Sequence, residues 1–448
     1  MLRAPLLGPA TSGPGPLGTL GAFFALLLVA CSDTQAPATG SAATEGAATD
    51  GAPTKTAPPP ADDPAARGWP IPYEPVSDAS IAWLKAQGWW PLSIGYFADV
   101  PGYSAHMPVM KDLRLLEARG LEVTYTSFQS GPPILEAFLA GQTQVTHYGD
   151  FPFWNTVDKG VPAVAYGLTG TNVEAALLVR PDSPLHSAAD LAEAGNELVI
   201  GTTLGSYCEF YLLAMGAQHG LVAGEHYRLA GMSMREAQLL PTGIDAVAVF
   251  DPHVTFALDK GLGRRIDDVY PYYFATGYEF MRRELHEHAP DVAQALADAQ
   301  TEALLAVRHD PDRAAALFVA DPRAKAWTKE AARVQIDRYL TLYKPTYKYL
   351  HADFWAAEDA RVVAAQHAAG RLKRARDATD LATDFAPAYL AATYAKLGWS
   401  VPERPVFLPA GWAGEVGKPP YPPYDNARTL TTPQTFPEPG DLGSGARK

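Results

Sequence analysis

The residues best suited to binding chemistry stand in five turns, each between a β-branched run and a helical run. Small residues at a helix start leave backbone N–H groups free, and the partial positive charge of these groups suits an anion. Acidic side chains in the same turns could instead meet an ammonium or hydroxyl group of a ligand, and nearby aromatic rings could wall a pocket. With the nearest basic residue included, the candidate ligand-binding residues are Phe97, Asp99, Tyr103, Ser130, Gly131, Gly149, Asp150, Phe151, Gly205, Ser206, Tyr207, Arg235 and Asp251.

Each candidate also has a purely structural interpretation. Ser130, Asp150, Ser206 and Asp251 are ordinary helix N-caps, whose side-chain oxygens accept a hydrogen bond from an orphan amide. The aromatic residues are equally compatible with a hydrophobic core, and Arg235 with a solvated helix charge. The case for a site therefore depends on whether the turns converge. If Asp150 contacts a ligand, Asp150→Ala should weaken binding more than it lowers stability.

The elements that carry these turns alternate from Pro91 onwards between short β-branched runs and amphipathic helical runs, which is typical of an α/β protein with parallel sheets. Two sets of strands are predicted, with strand-like runs at 174–179 and 264–270 passing between them, and the region 279–397 is predicted to be helical. This pattern predicts two lobes joined by two hinge segments. Because ligands bind beyond the carboxyl ends of parallel strands, the turns should meet in a cleft between the lobes.

The N-terminus has the features of an exported lipoprotein. Arg3 precedes a short apolar stretch at 21–30, far below the roughly 20 residues that span a bilayer. The run Leu28-Val29-Ala30-Cys31 resembles the lipobox of bacterial lipoproteins, in which the cysteine is diacylated and becomes the first mature residue. The alternatives are a short membrane anchor and an uncleaved signal with an incidental cysteine. Residues 32–68 contain no Leu, Ile, Val, Met, Phe, Trp or Tyr, which predicts a disordered tether.

Composition excludes several classes of protein. The 448 residues carry a formal net charge of −13, and this excess of acid argues against a nucleic-acid partner. Two cysteines exclude a disulfide framework and a four-cysteine metal site. Cys208 stands just inside a helix start, where the dipole would lower its thiol pKa, or it is buried as a small hydrophobe. The isolated histidines His106, His147 and His253 predict no metal or catalytic site, and no cofactor is expected.

Three segments in register carry a resemblance to a known family. Residues 130–165 combine a Ser/Gly turn, a helix ending in Ala-x-Gly, a strand and Gly-Asp-x-Pro, and residues 177–206 contain Asp-Ser-Pro, Ser-x-x-Asp-Leu and a Gly-Ser turn. Residues 239–261 contain a Gly-x-Asp-Ala strand followed by an x-x-Pro turn. Over about 90–275, the chain is similar to the nitrate/sulfonate/taurine-type periplasmic solute-binding proteins of ABC importers.

The resemblance implies a type II periplasmic-binding-protein fold with ligand contact at Ser130-Gly131, Gly149-Asp150 and Gly205-Ser206. It also implies a monomer on the extracytoplasmic side of a bacterial membrane, held by its N-terminal lipid, on the periplasmic side if the cell has two membranes. Such a protein delivers a small solute to an ABC transporter permease without catalysis. The solute is either a nitrate-, sulfonate- or taurine-like compound or a small aromatic or pyrimidine compound. A ligand-presenting receptor for a membrane sensor and a pyrimidine-synthase-like enzyme are the alternatives.

These expectations divide the chain into six segments. They are the signal peptide (1–30), the lipidated Cys31 with its tether (31–68), the first part of lobe 1 (69–176), lobe 2 (177–263), the return strand and C-terminal helices of lobe 1 (264–400), and a proline-rich tail (401–448).

Overall fold

A computed structural model describes residues 64, 69–129, 131–169, 173–194, 198–274, 276–340, 348, 350–351, 353–399 and 414. The predicted signal peptide, Cys31, the tether apart from residue 64, Ser130 and the proline-rich tail apart from residue 414 lie outside these residues. Within the described ranges, no helix combines the length and the apolar character that crossing a membrane requires.

Ten strands of the described chain form two five-stranded sheets, one in each lobe. In spatial order, the sheet of lobe 1 contains β2 (Val123–Phe128), β1 (Leu92–Phe97), β3 (Val145–Gly149), β10 (Gly277–Arg282) and β4 (Ala163–Thr169). The sheet of lobe 2 contains β7 (Arg228–Gly231), β6 (Val199–Thr202), β8 (Ala246–Phe250), β5 (Ala175–Val179) and β9 (Arg264–Asp268).

Both sheets are mixed, whereas the sequence pattern predicts parallel sheets. Strand β1 runs parallel to β2 and β3, and β6 runs parallel to β7 and β8. Strand β10 is antiparallel to β3 and β4, and β5 is antiparallel to β8 and β9. The chain enters β5 and β10 directly from the opposite lobe, at the edge where the parallel strands end, so these two strands run the other way.

The chain passes between the lobes twice, between β4 and β5 and between β9 and β10. The run 264–270 is predicted as the return strand into lobe 1, and this is wrong, because β9 pairs with β5 in lobe 2. The return strand is β10, which overlaps the start of the region predicted to be helical. Its interior holds the buried acid Glu279, which interrupts the apolar pattern that marks a buried strand.

Sixteen helices are present in the described residues. They are α1 (Asp78–Ala86), α2 (Pro101–Ser104), α3 (His106–Asp112), α4 (Gly131–Leu139), α5 (Asp150–Asp158), α6 (Leu191–Ala194), α7 (Tyr207–His219), α8 (Met234–Ala237), α9 (His253–Asp259), α10 (Arg283–His288), α11 (Pro290–His309), α12 (Pro311–Val319), α13 (Lys329–Tyr339), α14 (Asp353–Ala368), α15 (Ala378–Ala382) and α16 (Ala388–Leu397). The long helix α11 is buried along most of its length and packs against α3 and α16.

The helices that matter most for the cleft are short and start where parallel strands end. Helix α2 follows β1, α5 follows β3, α7 follows β6 and α9 follows β8. Pro101 at the start of α2 needs no N–H partner there, which suits the first turn of a helix. The predicted two-lobed α/β architecture is confirmed, and the turns between these strands and helices lie at one edge of each sheet.

Candidate functional site

A cavity of about 540 Å³ lies between the lobes, at the carboxyl ends of their parallel strands. Lobe 1 lines it with the turns after β1, β2 and β3, and lobe 2 with the turns after β6, β7 and β8. Val173 and Thr276, next to the two crossovers, complete the lining. The predicted residues that line the cavity are Phe97, Asp99, Tyr103, Gly131, Gly149, Gly205, Ser206, Tyr207 and Arg235. Their contact with a ligand stays a prediction.

An ion pair crosses the cleft from lobe 2 to lobe 1. Arg235 donates through Nε to Asp99 Oδ2 at 3.2 Å and through Nη2 to Asp99 Oδ1. This two-bond geometry fixes orientation as well as charge, and the bond to Asp99 raises the pKa of Arg235. Apart from His253, no other Asp, Glu, Lys, Arg or His side chain belongs to the described lining. The pair therefore leaves the cavity without net charge when His253 is neutral.

His253 is neutral at pH 7 and bonded within its own lobe. It is 4% exposed, and burial lowers its pKa to about 4. Its Nδ1 lies 2.7 Å from Gln238 Oε1. Since the glutamine oxygen can only accept, Nδ1 carries the proton.

Aromatic rings wall both sides of the cavity. In lobe 1 the rings of Phe97 and Tyr103 meet edge to face with centroids 5.8 Å apart, and in lobe 2 those of Tyr207 and Phe250 lie 5.4 Å apart. The Tyr103 hydroxyl is buried without a hydrogen-bond partner in the described structure. It sits so close to the Cα of Gly277 that any side chain at position 277 would collide with it.

The helix N-termini at the cleft are poorly prepared for an anion, contrary to their sequence interpretation. The Gly205 N–H donates to Glu209 Oε2 at 2.7 Å, and the Phe151 N–H donates to Asp150 Oδ1 at 2.6 Å. At the start of α4, Pro132 and Pro133 carry no N–H at all. Carboxylates of the chain itself thus occupy amides at two of the three turns, and proline removes them at the third.

Asp150 and Phe151 do not belong to the cavity lining, which corrects their prediction as ligand-binding residues. The Asp150 side chain is 1% exposed and accepts hydrogen bonds from the Tyr273 hydroxyl and from the Phe151 N–H. Burial raises the pKa of Asp150 well above its usual value. Phe151 is 2% exposed and packs in the core. Both face inward because α5 begins directly at residue 150 and packs against the sheet and α4.

Asp251 is also directed away from the cavity and serves a structural role. Its Oδ1 accepts from the Thr255 hydroxyl at 2.7 Å and from the Thr255 N–H at 3.0 Å, in the first turn of α9. Its Oδ2 accepts from the Tyr339 hydroxyl at 2.8 Å and pairs with Arg338. Both partners of Oδ2 lie on α13, so Asp251 joins lobe 2 to a C-terminal helix rather than to a solute.

Cys208 is buried at the start of α7. Burial raises the pKa of its thiol well above the usual value, whereas the position at a helix start predicted a lower one. The interpretation of Cys208 as a small hydrophobe therefore holds.

Two histidines that are isolated in the sequence meet behind the floor of the cleft. His106 on α3, His147 on β3, Glu279 on β10 and Lys348 form what we call the Glu279 cluster. The ring centroids of Tyr103 and His147 are 5.0 Å apart, so one cavity wall rests directly on this cluster. Sequence spacing gives no sign of it, because its members come from four distant parts of the chain.

Other cavity-lining residues escaped the sequence reasoning. Met232 and Phe250 stand at or just beyond a strand end, where the same topological argument would have found them. Tyr148 and Thr276 line the cavity near the junction of β3 and β10, and this junction depends on the unrecognised return strand.

Several solved structures with a similar fold are named as solute-binding proteins. The periplasmic aliphatic sulphonate-binding protein SsuA of Escherichia coli is similar with a TM-score of 0.53 and 21% identity, over 64% of this chain and 90% of that one. The alkanesulfonate-binding protein SsuA of Xanthomonas axonopodis pv. citri, bound to MOPS, has a TM-score of 0.53 and 17% identity, over 66% of this chain and 97% of that one. The periplasmic nitrate-binding protein NrtA of Synechocystis has a TM-score of 0.55 and 13% identity, over 68% of this chain and 88% of that one.

No protein-family model and no curated protein matches the sequence. At these identities the structural similarity establishes the fold and leaves the ligand open. The two mixed sheets, the two crossovers and the cleft at the strand ends agree with this fold. The chain therefore has the periplasmic-binding-protein fold.

Proposed function

We propose that the protein is an extracytoplasmic solute-binding lipoprotein that captures a small, uncharged aromatic solute and delivers it to the permease of an ABC importer. The observation that carries this proposal is a cavity between two lobes with aromatic walls and internally compensated charge. A volume of about 540 Å³ lies within the range of about 300–1,000 Å³ typical of small-molecule sites.

The electrostatics favour a neutral solute over nitrate or a sulfonate. An anion would have to displace Asp99 from Arg235 and leave that carboxylate, with its side chain 10% exposed, without its partner. One amide in each of two cleft turns, that of Phe151 and that of Gly205, is already bonded to a carboxylate of the chain. Aromatic rings such as those of Tyr207 and Phe250 gain both burial and ring contacts from a flat apolar ligand.

The polar groups of the lining favour binding over catalysis. The hydroxyls of Thr203 and Ser206 donate to backbone carbonyls, and that of Ser233 donates to Glu236. His253 bonds to Gln238 rather than to one of these hydroxyls. A nucleophile needs a base within hydrogen-bonding distance. In the described lining these hydroxyls bond to backbone carbonyls or to Glu236 instead, and His253 bonds to Gln238.

The sequence supports the proposed lipid-anchored location. A lipobox-like segment ending in Cys31 and a tether without large apolar residues support a lipid-anchored domain outside the cytoplasm. Labelling cells with radioactive palmitate should mark the wild-type protein and leave Cys31→Ser unmarked. Equal labelling of both would contradict lipidation at Cys31.

A screen of solutes tests the ligand class. Thermal shift followed by calorimetry should detect binding of neutral aromatic or pyrimidine compounds, with weak or no response to nitrate and alkanesulfonates. Phe250→Ala should lower the affinity about tenfold, because a wall ring contributes roughly 1.5–3 kcal/mol when buried. Phe256→Ala is the matched control, since this phenylalanine is exposed on the neighbouring helix α9.

The outcomes separate the parts of the proposal. Binding of sulfonates alone would overturn the neutral-solute assignment and retain the binding function. Failure of folded protein to bind any member of the panel would contradict solute binding itself.

A further inference from the structure

We propose that His106, His147 and Glu279 bind a divalent transition-metal ion of the Zn²⁺ type behind the floor of the cleft. The inference is independent of the solute. It rests on three donor atoms that come from α3, β3 and β10 and that all lie within 4.8 Å of one another. The fold, rather than a local motif, brings these donors together.

The spacing of the donors fits a tetrahedral ion. Metal–ligand bonds of about 2.0–2.2 Å place the ligands of a tetrahedral Zn²⁺ about 3.4 Å apart. Glu279 Oε1 lies 3.3 Å from His106 Nε2 and 3.5 Å from His147 Nδ1. Two of the three donor–donor distances therefore match those around a tetrahedral ion, and the third is within 4.8 Å.

The donor atoms are buried and poorly satisfied by one another. Both histidines and Glu279 are 0% exposed, and the three donor atoms have no partner with hydrogen-bond geometry in the described structure. Buried polar atoms in this condition are rare in native proteins, and an unrecorded ion is one of the recognised explanations. Imidazole and carboxylate together suit first-row divalent ions of this kind.

The surroundings of Glu279 resemble the outer shell of a metal site. Its second oxygen, Oε2, accepts a 3.0 Å hydrogen bond from Gln300 Nε2, and the Tyr166 hydroxyl donates to Gln300 Oε1 at 2.9 Å. Such partners hold a ligating carboxylate in one orientation. Oε1 is thereby left directed towards the two histidines.

Lys348 acts as a competitor for the same carboxylate. Its Nζ is 3.5 Å from Glu279 Oε1, and the residue is 1% exposed. In the metal-free protein the ammonium balances the charge of Glu279. Metal binding requires the Lys348 ammonium to move away from Glu279 Oε1, because the two cations compete for the same oxygen.

One hydrogen bond must also change when metal binds. The Phe97 N–H donates to His147 Nε2 at 3.3 Å, which places the imidazole proton on Nδ1. Coordination through Nδ1 moves that proton to Nε2 and breaks the bond to Phe97. Since Phe97 lines the cavity, metal loading should alter the cleft wall as well.

Metal analysis of the purified full-length protein tests the site. After expression in Zn²⁺-supplemented medium and dialysis, we expect about one Zn²⁺ per chain, as the three-ligand geometry implies. Glu279→Gln and His147→Gln should each lose the ion, with circular dichroism verifying that they fold. A His286→Ala/His288→Ala double variant should retain it, because these histidines lie on α10 outside the cluster. Co²⁺ substitution should give the visible bands of a tetrahedral complex.

Lys348→Met separates a competitor from a ligand. We expect this variant to bind Zn²⁺ at least about tenfold more tightly, because a positive charge close to the ion is removed. Loss of the ion in Lys348→Met would overturn the competitor role. Metal-free wild-type protein, or equal metal content in Glu279→Gln and His147→Gln, would overturn the site.

Discussion

Asp99, Asp150 and Asp251 each follow a strand that ends at the cleft, and each has a different partner. Asp99 pairs with Arg235 across the cavity, Asp150 accepts a hydrogen bond from the Tyr273 hydroxyl, and Asp251 pairs with Arg338. Position after a strand therefore brings a carboxylate to the edge of the sheet without deciding which way it points. The orientation depends on where the following helix begins.

The role of Asp150 gives a prediction at this scale. Asp150→Ala removes the acceptor of a buried tyrosine hydroxyl and of a buried N–H, so the free energy of unfolding should fall by about 1–3 kcal/mol. Solute affinity should stay the same, which reverses the expectation drawn from the sequence. Urea unfolding and calorimetry measure the two quantities.

Asp150→Asn is the matched control for that prediction. The amide keeps the shape and one acceptor oxygen, so it should lose less stability than alanine does. A large loss of affinity in both variants, with stability unchanged, would show that Asp150 contacts the solute after all.

At the scale of elements, the C-terminal helices hold lobe 2 at two places. Arg338 on α13 pairs with Asp251, and Arg371 beyond the end of α14 pairs with Glu209 on α7. Both carboxylates are almost completely buried. Helix α13 also packs against α2, which lies on the lobe 1 side of the cavity. The helical region thus contacts both lobes and connects them, and we call it the brace.

Removing one contact of this brace should be costly. Arg338→Met leaves the buried Asp251 carboxylate without its cation, and we expect a loss of about 3 kcal/mol in unfolding free energy. Hydrogen exchange should accelerate in α9, whose first turn Asp251 caps.

Arg333→Met on the same helix provides the comparison. Arg333 pairs with Asp312, which is 62% exposed, and with Asp337, which is 37% exposed. Exposed pairs of this kind contribute about 0–1 kcal/mol. Equal losses in the two variants would contradict a special role for Arg338.

The sequence predicts these elements unevenly, for identifiable reasons. β-Branched runs and helical periodicity locate most strands, the two lobes and the cleft, because those signals are local. Strand β10 is missed because Glu279 is buried in it, and the acid makes sense only beside His106, His147 and Lys348. Tyr273, the partner of Asp150, and Arg338, the partner of Asp251, are distant in the sequence, so no local pattern records these contacts.

For the molecule as a whole, side chains of the chain itself connect the two lobes. The Asp99–Arg235 pair spans the cleft mouth, and the Arg338 and Arg371 contacts tie lobe 2 to the C-terminal helices. Hinge closure in such folds usually depends on ligand contacts. We expect these contacts to hold the lobes together in part, so that a bound solute would contribute less to closure.

Solution scattering tests this view of closure. An Asp99→Asn/Arg235→Gln double variant should have a larger radius of gyration than the wild type without solute, and saturating solute should restore the smaller value. An Asp112→Asn/Arg313→Gln variant should not change in size, because that exposed pair joins α3 to α12 away from the cleft. A double variant as compact as the wild type would show that the ion pair does not hold the lobes.

The burial of Cys208 makes its thiol a natural reporter of local opening. A thiol reagent cannot reach this side chain while α7 is packed on lobe 2. The rate of its modification therefore reports how often that lobe opens. Binding of solute, binding of metal or loss of a brace contact should each change that rate, and no label needs to be introduced into the chain.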